Sequence, residues 1–549
     1  MKPRSRRVRV LAALAACAGT LALAQPAGAA LTRPAAAASA QPAGAALARP
    51  AGANLLANPR ATVGAASEQG WDAVTIPGWQ VSAGLPTVVP YGTTGFPRTS
   101  GPWPADRGRL FAGGAGGPAA LVQHVTLRPA RGAAAGRGIR YRVSAWLGGT
   151  ATSWAQVTVR FLSAGGTVLG ERTIGPVGRA AGAGIAPRMA GGPLPADTAG
   201  AEVTLGLDTS LTNADGPNSP VAGYDRAVAG DVSLSLSVPG PARPLTPPTA
   251  RVPRYQHVFL FYFENEDYRD VIGNVRQAPY LNSLLPRASL LSQFYAEEHP
   301  SDGNYLALAG GSTFGIPLTD PLEENSRYTI RAPDIGDLID AAHETWKAYL
   351  QSANGPCDDT VHGYYWDDDQ PMTYFADVRG RPGYCAAHLP PLESLPADLA
   401  HLATTPNFAW VAPDDCADME GCGIKAGDDF LAAELGRILR SPAWRTQRSL
   451  AIITFDEDAQ DFQHPAQRVP TIILGSAGVR QGYVSSVRYT HYSLLRTIEA
   501  ALGLGTLTAN DRWAQPVNDV FGPVRDQAPA PAASARAANA GPAGSPAPG

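Results

Sequence analysis

Two apolar runs of the sequence each end in a pair of oxygen-bearing side chains. The run HVFLFYF at 257–263 is followed by Glu264 and Asn265, and the run SLAIITF at 449–455 is followed by Asp456 and Glu457. Carboxylate and amide oxygens are hard donors that suit Mg²⁺, Ca²⁺ or Mn²⁺ better than a metal that prefers thiolates. Asp and Asn are also ordinary turn residues after strands. Because acidic pairs occur at the same place after two runs, the sequence favours a divalent metal site.

A serine that could serve as a nucleophile lies in the segment HPSDGNYLALAGG at 299–311. Ser301 precedes residues with the pattern of a helix, and free amide groups and the dipole at a helix start favour a phosphate. A cation beside it would lower the pKa of the hydroxyl and activate it for attack. The alternative is that Ser301 simply caps the helix.

The elements that must position these residues are the apolar strands and amphipathic helices that alternate through 254–522. Continuously apolar strands between such helices predict an α/β unit with a mostly parallel sheet covered by helices on both faces. In sheets of this kind ligands bind at the carboxyl ends of the strands. The two polar pairs are therefore expected at the same rim of the sheet.

The region 55–238 has a different texture, with short alternating apolar and polar runs broken by Gly, Pro and Asn. This pattern predicts an antiparallel β-sandwich. Its opening, NLLANP followed by GWDAVTIPGWQV, resembles galactose-binding-like jelly-roll modules. Trp79, Trp103 and Trp154 are candidates to stack on a polysaccharide, and the alternative places them in the core.

Composition and the chain ends bound the remaining possibilities. The 549 residues carry a formal net charge of −3 with 17% charged residues, which disfavours a nucleic-acid or membrane-surface binder.

Residues 1–29 have the basic and apolar parts of a signal peptide, which predicts a secreted or cell-surface protein without a transmembrane segment. Two variants stay open, since the paired arginines of SRRVRVL are compatible with a twin-arginine signal and Cys17 in LAAC with a lipoprotein anchor. An Ala/Pro-rich linker at 30–54, a Pro-rich hinge at 239–253 and a disordered tail at 523–549 complete the predicted organisation.

Four cysteines remain beyond Cys17, and they are Cys357, Cys385, Cys416 and Cys422. An even number in an exported chain indicates disulfides. We predict the pairs Cys357–Cys385 and Cys416–Cys422, because each closes a short loop. Zinc is disfavoured, since no C-x2-C unit repeats and no histidine stands at ligand spacing.

Four blocks in order carry a resemblance to a known family: FENEDYRDVIGNVRQAPYLNSLL, EEHPSDGNYLALAGGS, IITFDEDAQDFQHPAQRVPTIILG and RYTHYSLLRTIEAALGL. Over about 255–522 the sequence resembles the bacterial phosphoesterases that include acid phosphatases and phospholipases C. The resemblance implies an alkaline-phosphatase-like fold. It also implies that Glu264 with Asn265, and Asp456 with Glu457, bind the metal, that Ser301 is the nucleophile, and that Asn304 contacts the phosphate.

The sequence also departs from that family. Asp369 lies in YYWDDDQPMTYF, where the family has a histidine followed by Asn-Pro, and PDDCADMEGC places Asp414 and Glu420 where Asn and His are expected. Asp418 is retained. Three explanations remain open: an additional cation, a less anionic substrate such as a diester, or a domain that binds without turnover. Carboxylates near a dianionic phosphate repel it unless a cation intervenes.

Histidines supply the remaining candidates for proton transfer. His464 follows the second acidic pair and is the predicted acid for the leaving group, and His299 adjoins Ser301. We expect His299, Asn304, Asp369, Asp418 and Glu420 to contact the substrate. His491 is expected to cap or pack against the last long helix.

The sequence therefore predicts an exported, metal-dependent phosphoesterase that acts through a serine on a small-molecule or lipid phosphate ester. The first alternative is a phospholipase C-like phosphodiesterase. The second is a catalytically degenerate phosphoesterase domain that acts as a binding protein, with polysaccharide as a ligand of the N-terminal module.

Overall fold

The computed structural model describes residues 52–96, 108–115, 118–127, 139–149, 153–178, 184–208, 224–237, 245–316, 328–459 and 467–522. The predicted signal peptide, the linker up to residue 51, and the predicted tail lie outside these ranges. Trp103 and His464 also lie outside them. In the part of the chain that is described, no helix has the length and apolar character needed to cross a bilayer.

Ten strands form two five-stranded sheets in the N-terminal region, and every strand pairing in them is antiparallel. Their bounds are β1 Gln80–Ala83, β2 Thr87–Pro90, β3 Arg109–Ala115, β4 Ala119–Thr126, β5 Arg140–Gly149, β6 Trp154–Leu162, β7 Val168–Gly178, β8 Gly184–Pro193, β9 Gly200–Asp208 and β10 Tyr224–Leu236. One sheet has the order β1-β4-β9-β6-β7 and the other β2-β3-β10-β5-β8.

The two antiparallel sheets enclose a shared apolar core. Along β9 buried and half-buried residues alternate, as expected when one face of a strand packs on a core. Trp79 belongs to this core, since its ring meets Phe111 edge to face at 5.4 Å and its indole N–H donates to the Asn58 carbonyl. The structure therefore favours the core interpretation for Trp79, while Trp154 is half-buried on β6. The likeness to a jelly-roll module stays a prediction.

The C-terminal region contains nine further strands. They are β11 His257–Phe263, β12 Ser289–Leu291, β13 Phe294–Tyr295, β14 Trp346–Leu350, β15 Phe408–Ala412, β16 Ser449–Phe455, β17 Ile472–Gly475, β18 Tyr483–Ser485 and β19 Tyr489–Thr490. Seven of them form a sheet of order β14-β15-β11-β16-β17-β12-β18, and β13 pairs with β19 separately. Strands β14, β15, β11 and β16 run parallel, whereas β17 is antiparallel to both of its neighbours. The mostly parallel α/β sheet predicted from the sequence is confirmed.

Eleven α-helices accompany this sheet within the described residues. They are α1 Tyr268–Val271, α2 Pro279–Leu284, α3 Asp302–Gly310, α4 Ile335–Ala341, α5 Ala376–Arg379, α6 Pro382–His388, α7 Leu395–Asp398, α8 Ile424–Arg440, α9 Pro442–Thr446, α10 His491–Leu502 and α11 Ala509–Trp513. Short 3₁₀ turns occur at Leu285–Arg287, Asp367–Asp369, Met372–Tyr374 and Leu392–Ser394. Every residue of α3 is buried, whereas α8 buries one face and exposes the other, which is typical of a surface helix.

Two disulfides join loops of the C-terminal region. Cys357 pairs with Cys385 across 28 residues, and Cys416 pairs with Cys422 across six. Both predicted pairings are confirmed. Disulfides persist in oxidising compartments, so these bonds fit a protein located outside the cytoplasm.

The N-terminal and C-terminal regions contact each other through polar bonds. The Thr75 amide donates to Asn510 Oδ1 at 3.0 Å, and Gln69 Nε2 donates to the Gly315 carbonyl at 3.0 Å. The Tyr492 hydroxyl donates to the Ala73 carbonyl at 3.2 Å. The segment 67–76 therefore packs against the starts of α10 and α11 and the loop that follows α3. The boundary predicted at 239–253 stays a prediction.

Candidate active site

The two polar pairs emerge side by side from the centre of the sheet. Strands β11 and β16 are neighbours in parallel register, with Phe263 opposite Phe455, and every residue of both strands is buried. The next residues are therefore adjacent as well. The Asn265 amide donates to Asp456 Oδ1 at 2.9 Å. The parallel pairing thus brings together residues separated by 191 positions in the chain.

Ser301 lies at the start of α3 with its hydroxyl among these carboxylates. Its Oγ is 3.2 Å from Glu264 Oε2 and 3.3 Å from Glu457 Oε1, and the side chain is 5% exposed. The hydroxyl has one proton, so it donates to one of these oxygens at a time. The serine makes no side-chain bond to the backbone of its helix. The capping alternative is therefore not what its hydroxyl does in the structure.

The Glu264 carboxylate is held on both oxygens. Its Oε1 accepts from the Tyr305 hydroxyl at 2.7 Å, and its Oε2 accepts from Asn265 Nδ2 at 2.7 Å. Asn265 has a φ of 43°, in the left-handed region that Asn tolerates better than most residues. Its Nδ2 also lies 3.1 Å from Glu420 Oε2. Asn265 thereby links the first polar pair to the segment 414–422.

The segment 414–422 contributes a third group of acids to the same rim. The Glu264 amide donates to the Asp418 carbonyl at 3.0 Å, which fixes this loop to the end of β11. Asp418 Oδ1 accepts from the amides of Glu420 and Gly421. Carboxylate oxygens of Asp415, Asp418 and Glu420 lie within 4.8 Å of one another. Glu420, which replaces an expected histidine, is thus beside the first polar pair.

The concentration of buried acids raises their pKa values. Burial raises the pKa of Asp456 well above its usual range, and the neighbouring charges of Glu264 and Glu457 raise it further. Burial also raises the pKa of Asp418, and the charges of Glu264 and Glu420 raise it further. The buried Oδ2 atoms of Asp418 and Asp456 accept no hydrogen bond. Orphaned buried carboxylate oxygens in a set of hard donors fit a divalent cation.

His299 supplies positive charge next to this group. Its Nδ1 lies 2.6 Å from Glu457 Oε2 and its Nε2 lies 3.2 Å from Asp458 Oδ1, with the ring 6% exposed. Burial alone lowers the pKa of His299, but Glu457 and Asp458 outweigh that effect and raise it to about 10. The raised pKa favours the imidazolium form of His299, which forms ion pairs with Glu457 and Asp458. It fixes the orientation of Glu457 rather than accepting a proton.

Asn304 shapes the loop that leads to Ser301. Its Oδ1 accepts from the amides of Glu297 and Glu298 at 2.8 and 3.1 Å, and its Nδ2 donates to the Glu298 carbonyl at 2.7 Å. The side chain is fully buried. Its observed bonds are all to backbone, so contact with a phosphate stays a prediction.

Asp369 lies in the buried 3₁₀ turn Asp367–Asp369. Burial raises the pKa of Tyr305, and Glu264 and then Asp369 raise it further, which places the Asp369 charge near the site. The predicted leaving-group acid His464 lies outside the described residues, so it has no observed position. His491 begins α10 and is buried, with its Nε2 2.9 Å from the Phe455 carbonyl.

The site also contains two tyrosines that sequence reasoning missed. Tyr305 bonds Glu264, and it lies four residues after Ser301 on α3, a spacing that puts both on one helix face. That spacing was a usable signal. Tyr374 donates to Asp302 Oδ1, the residue next to Ser301. Its 72-residue separation from Asp302 left no sequence signal.

Comparisons with known proteins show what the C-terminal region is similar to. Residues 271–505 match the model of the Phosphoesterase family. This segment is similar to that family, and we refer to the C-terminal region, residues 254–522, as the phosphoesterase domain for that reason. The phosphatidylinositol-3-phosphatase of Mycobacterium tuberculosis is 28% identical over 274 residues, which cover 49% of this chain and 84% of that protein. The acid phosphatase of Aspergillus fumigatus is 24% identical over 269 residues, which cover 47% of this chain and 57% of that protein.

The chain spans little more than half the length of the fungal relatives it matches, since the share is 56% for the phosphate-repressible acid phosphatase of Penicillium chrysogenum at 28% identity. A solved structure of an alkaline phosphatase superfamily protein from Vibrio parahaemolyticus aligns with a TM-score of 0.35 and 15% identity, covering 49% of this chain and 71% of that one. The phosphoesterase domain thus has phosphatases as relatives, consistent with a hydrolase of phosphoric esters.

Proposed function

We propose that the phosphoesterase domain hydrolyses phosphoric esters in a metal-dependent reaction with Ser301 as the nucleophile. The observation that carries this proposal is the position of the Ser301 hydroxyl, within 3.3 Å of one carboxylate from each strand end. A capping serine has no need of two buried acids. A nucleophile needs an acceptor for its proton and a site for cationic assistance, and this location offers both.

The residues that would hold the cation are Glu264, Asn265, Asp456 and Glu457. When bound, a divalent cation at this position supplies electrostatic stabilisation of the phosphoryl oxygens and lowers the pKa of a neighbouring hydroxyl. The side chains present fit that role because they are hard oxygen donors in a buried site. Tyr305 and His299 hold Glu264 and Glu457 in orientation, as outer partners of metal ligands do.

The chemistry of the chain's own groups follows from this arrangement. Ser301 Oγ attacks phosphorus opposite the ester oxygen, so that the new Oγ–P bond forms as the bond to the leaving oxygen breaks. Glu264 and Glu457 orient the hydroxyl through the hydrogen bonds that they accept, its proton is released to solvent as the Oγ–P bond forms, and the departing ester oxygen takes up a proton from solvent. Water then cleaves the phosphoserine at the P–Oγ bond and releases phosphate. The amide groups at the start of α3 favour the phosphate in this position.

A phosphodiester substrate is the second candidate, and the position of Glu420 favours it. Glu420 Oε2 lies 3.1 Å from Asn265 Nδ2, so its carboxylate faces the predicted metal site where the resemblance predicts a histidine. A carboxylate repels a dianionic monoester more strongly than a monoanionic diester. This repulsion separates the two substrate classes by charge.

The test is a comparison of p-nitrophenyl phosphate with bis-(p-nitrophenyl) phosphate, with Mg²⁺, Ca²⁺, Mn²⁺ or chelator present. We expect hydrolysis that chelator abolishes and that a divalent ion restores. A higher rate on the monoester identifies a phosphatase, and a higher rate on the diester identifies a phosphodiesterase. Absence of turnover with every ion would contradict the proposal and favour a domain that only binds.

Export and carbohydrate recognition are separate proposals. The two disulfides support a location outside the cytoplasm, and the signal-like residues 1–29 support secretion. Binding of polysaccharide by the N-terminal region loses one of its three candidate tryptophans, because Trp79 is in the core. Retention of the purified chain on polysaccharide resins, with and without Trp154→Ala, tests the remaining candidate that the structure describes.

A further inference from the structure

A second group of acids lies away from Ser301, between α4 and α5. Carboxylate oxygens of Asp334, Asp337 and Asp377 come within 4.8 Å of one another. We refer to these three residues as the outer aspartate cluster. Asp337 and Asp377 also line a cavity of about 430 Å³ together with Ile330, Arg331 and Pro333. The cluster is therefore next to a space that solvent ions can enter.

Asp334 is the residue that helix formation alone does not explain. Its Oδ1 caps α4 by accepting from the Asp337 amide at 3.1 Å. In turn, Asp337 Oδ2 accepts from the Asp334 amide at 3.2 Å. This reciprocal capping box accounts for one oxygen of each carboxylate. The other oxygen of Asp334, Oδ2, is buried and accepts no hydrogen bond, and the residue as a whole is only 1% exposed. A buried carboxylate oxygen without a partner is costly.

The charges of the cluster also do not balance within the chain. Arg381 Nη2 lies 3.0 Å from Asp377 Oδ2, in a pair whose side chains are 50% and 35% exposed. Arg331 lines the cavity beside Asp337 and Asp377, so two guanidinium groups face three carboxylates and do not offset all of them. A divalent cation would offset the remaining carboxylate and relieve the repulsion among the three.

We propose that the outer aspartate cluster binds a calcium ion, distinct from the metal expected at Ser301. Ca²⁺ tolerates irregular arrangements of oxygen ligands, whereas Mg²⁺ demands near-ideal octahedral geometry. Three carboxylates from two separate segments therefore suit calcium better. Asp337 and Asp377 are half-buried, which leaves room for the water ligands that complete a coordination number of six to eight.

The ion would join two segments that already pair through their backbones. The Ile330 amide donates to the Tyr374 carbonyl and the Ala376 amide donates to the Ile330 carbonyl, each at 2.9 Å. Tyr374 in turn bonds Asp302 beside Ser301. Calcium at the cluster therefore stabilises the segment that supports the start of α3. We expect a higher melting temperature on calcium binding rather than a change in the chemical step.

The test measures calcium stoichiometry by equilibrium dialysis and the calcium-induced shift in melting temperature, on the full chain. The Asp377→Asn and Asp334→Asn variants should each bind one equivalent of calcium less than the parent protein. Each should also lose most of the increase in melting temperature that calcium produces. Asp334→Asn keeps an oxygen that can cap α4. The matched control is Asp340→Asn, which removes a charge from the same helix, while its oxygen can still accept from Tyr384.

Equal stoichiometry in the parent and in both cluster variants would overturn the proposal. The same conclusion follows if Asp340→Asn loses as much calcium as the cluster variants, because charge alone would then explain the effect. Circular dichroism verifies that each variant folds, and the half-exposed Asp377 makes its substitution the safer of the two. Neither readout depends on turnover, so this proposal and the proposed hydrolysis can fail independently.

Discussion

The two acidic clusters of the phosphoesterase domain differ in what surrounds them. At the rim of the sheet, Glu264 and Glu457 flank a serine hydroxyl, a tyrosine and an imidazolium, all buried. In the outer cluster, Asp334 and Asp337 bond to backbone amides at a helix start. Both sets suit a hard cation, but only the first brings a nucleophile against it. The number of carboxylates therefore predicts a metal site in both places, and the neighbouring hydroxyl predicts catalysis at the first site alone.

The largest effect should come from removing that hydroxyl. We expect Ser301→Ala to lower kcat/KM by roughly 10³-fold or more, as loss of a nucleophile does in other hydrolases. The melting temperature should change little, because the hydroxyl makes no cap to α3. Steady-state kinetics on the preferred ester and thermal denaturation measure the two quantities.

The control for that variant is Ser283→Ala, whose exposed hydroxyl donates to the Tyr280 carbonyl on α2. It should retain parental kinetics. If Ser301→Ala keeps most of its activity, Ser301 is not the nucleophile, and a water molecule activated at the same acids would replace it in the mechanism.

Asp456→Asn should separate the metal role from the stability role. With a divalent ion present we expect a loss of roughly 10²-fold in activity or more, together with weaker metal retention. With chelator present the variant should melt at the same temperature as the parent or higher, because the substitution removes a buried charge that is raised in energy by Glu264 and Glu457. Metal analysis and melting curves in both conditions test this.

Asp377→Asn is the matched comparison from the outer cluster. It should keep the activity that Asp456→Asn loses, since it lies outside the Ser301 site. A parallel loss of activity in both variants would contradict the distinction between the clusters.

A smaller effect is expected from Glu420→His, which introduces the residue that the family resemblance predicts. Removing the negative charge beside Asn265 should lower the KM for a monoester several-fold and change the KM for a diester less. The reason is that a carboxylate repels a dianionic monoester more strongly than a monoanionic diester. Glu393→Gln, at an exposed site, is the control. Equal changes for both substrates would show that Glu420 does not discriminate by charge.

The smallest effect concerns acid stability rather than either cluster. Burial lowers the pKa of His491 from 6.5 to about 4, so the folded protein keeps this ring neutral. Its contribution to stability is full above pH 6.5 and declines as the pH falls towards 4, because the unfolded chain takes up the proton first. His491→Gln should therefore reduce the slope of melting temperature against pH in this window.

His124→Gln, at an exposed histidine, is the control for that slope. An unchanged slope in His491→Gln would show that other groups govern acid unfolding. The measurement is best made with chelator present, so that metal loss at low pH does not contribute.

The sequence by itself determined the mostly parallel sheet, the two disulfide pairs and the two polar pairs that follow β11 and β16. These features are local: apolar runs define strands, short loops favour cysteine pairing, and a residue after a parallel strand must emerge at the strand's carboxyl end. The order of four motif blocks added the likeness to phosphoesterases, which the match at 271–505 confirms.

Only the tertiary structure decided which side chains use which partners. The approach of Ser301 to Glu264 and Glu457, and the engagement of Asn304 by its own loop, depend on how α3 packs across the sheet. The outer cluster joins Asp334 and Asp377 from separate segments with no common motif. Such contacts arise from packing between distant segments, and the spacing of residues along the chain does not encode them.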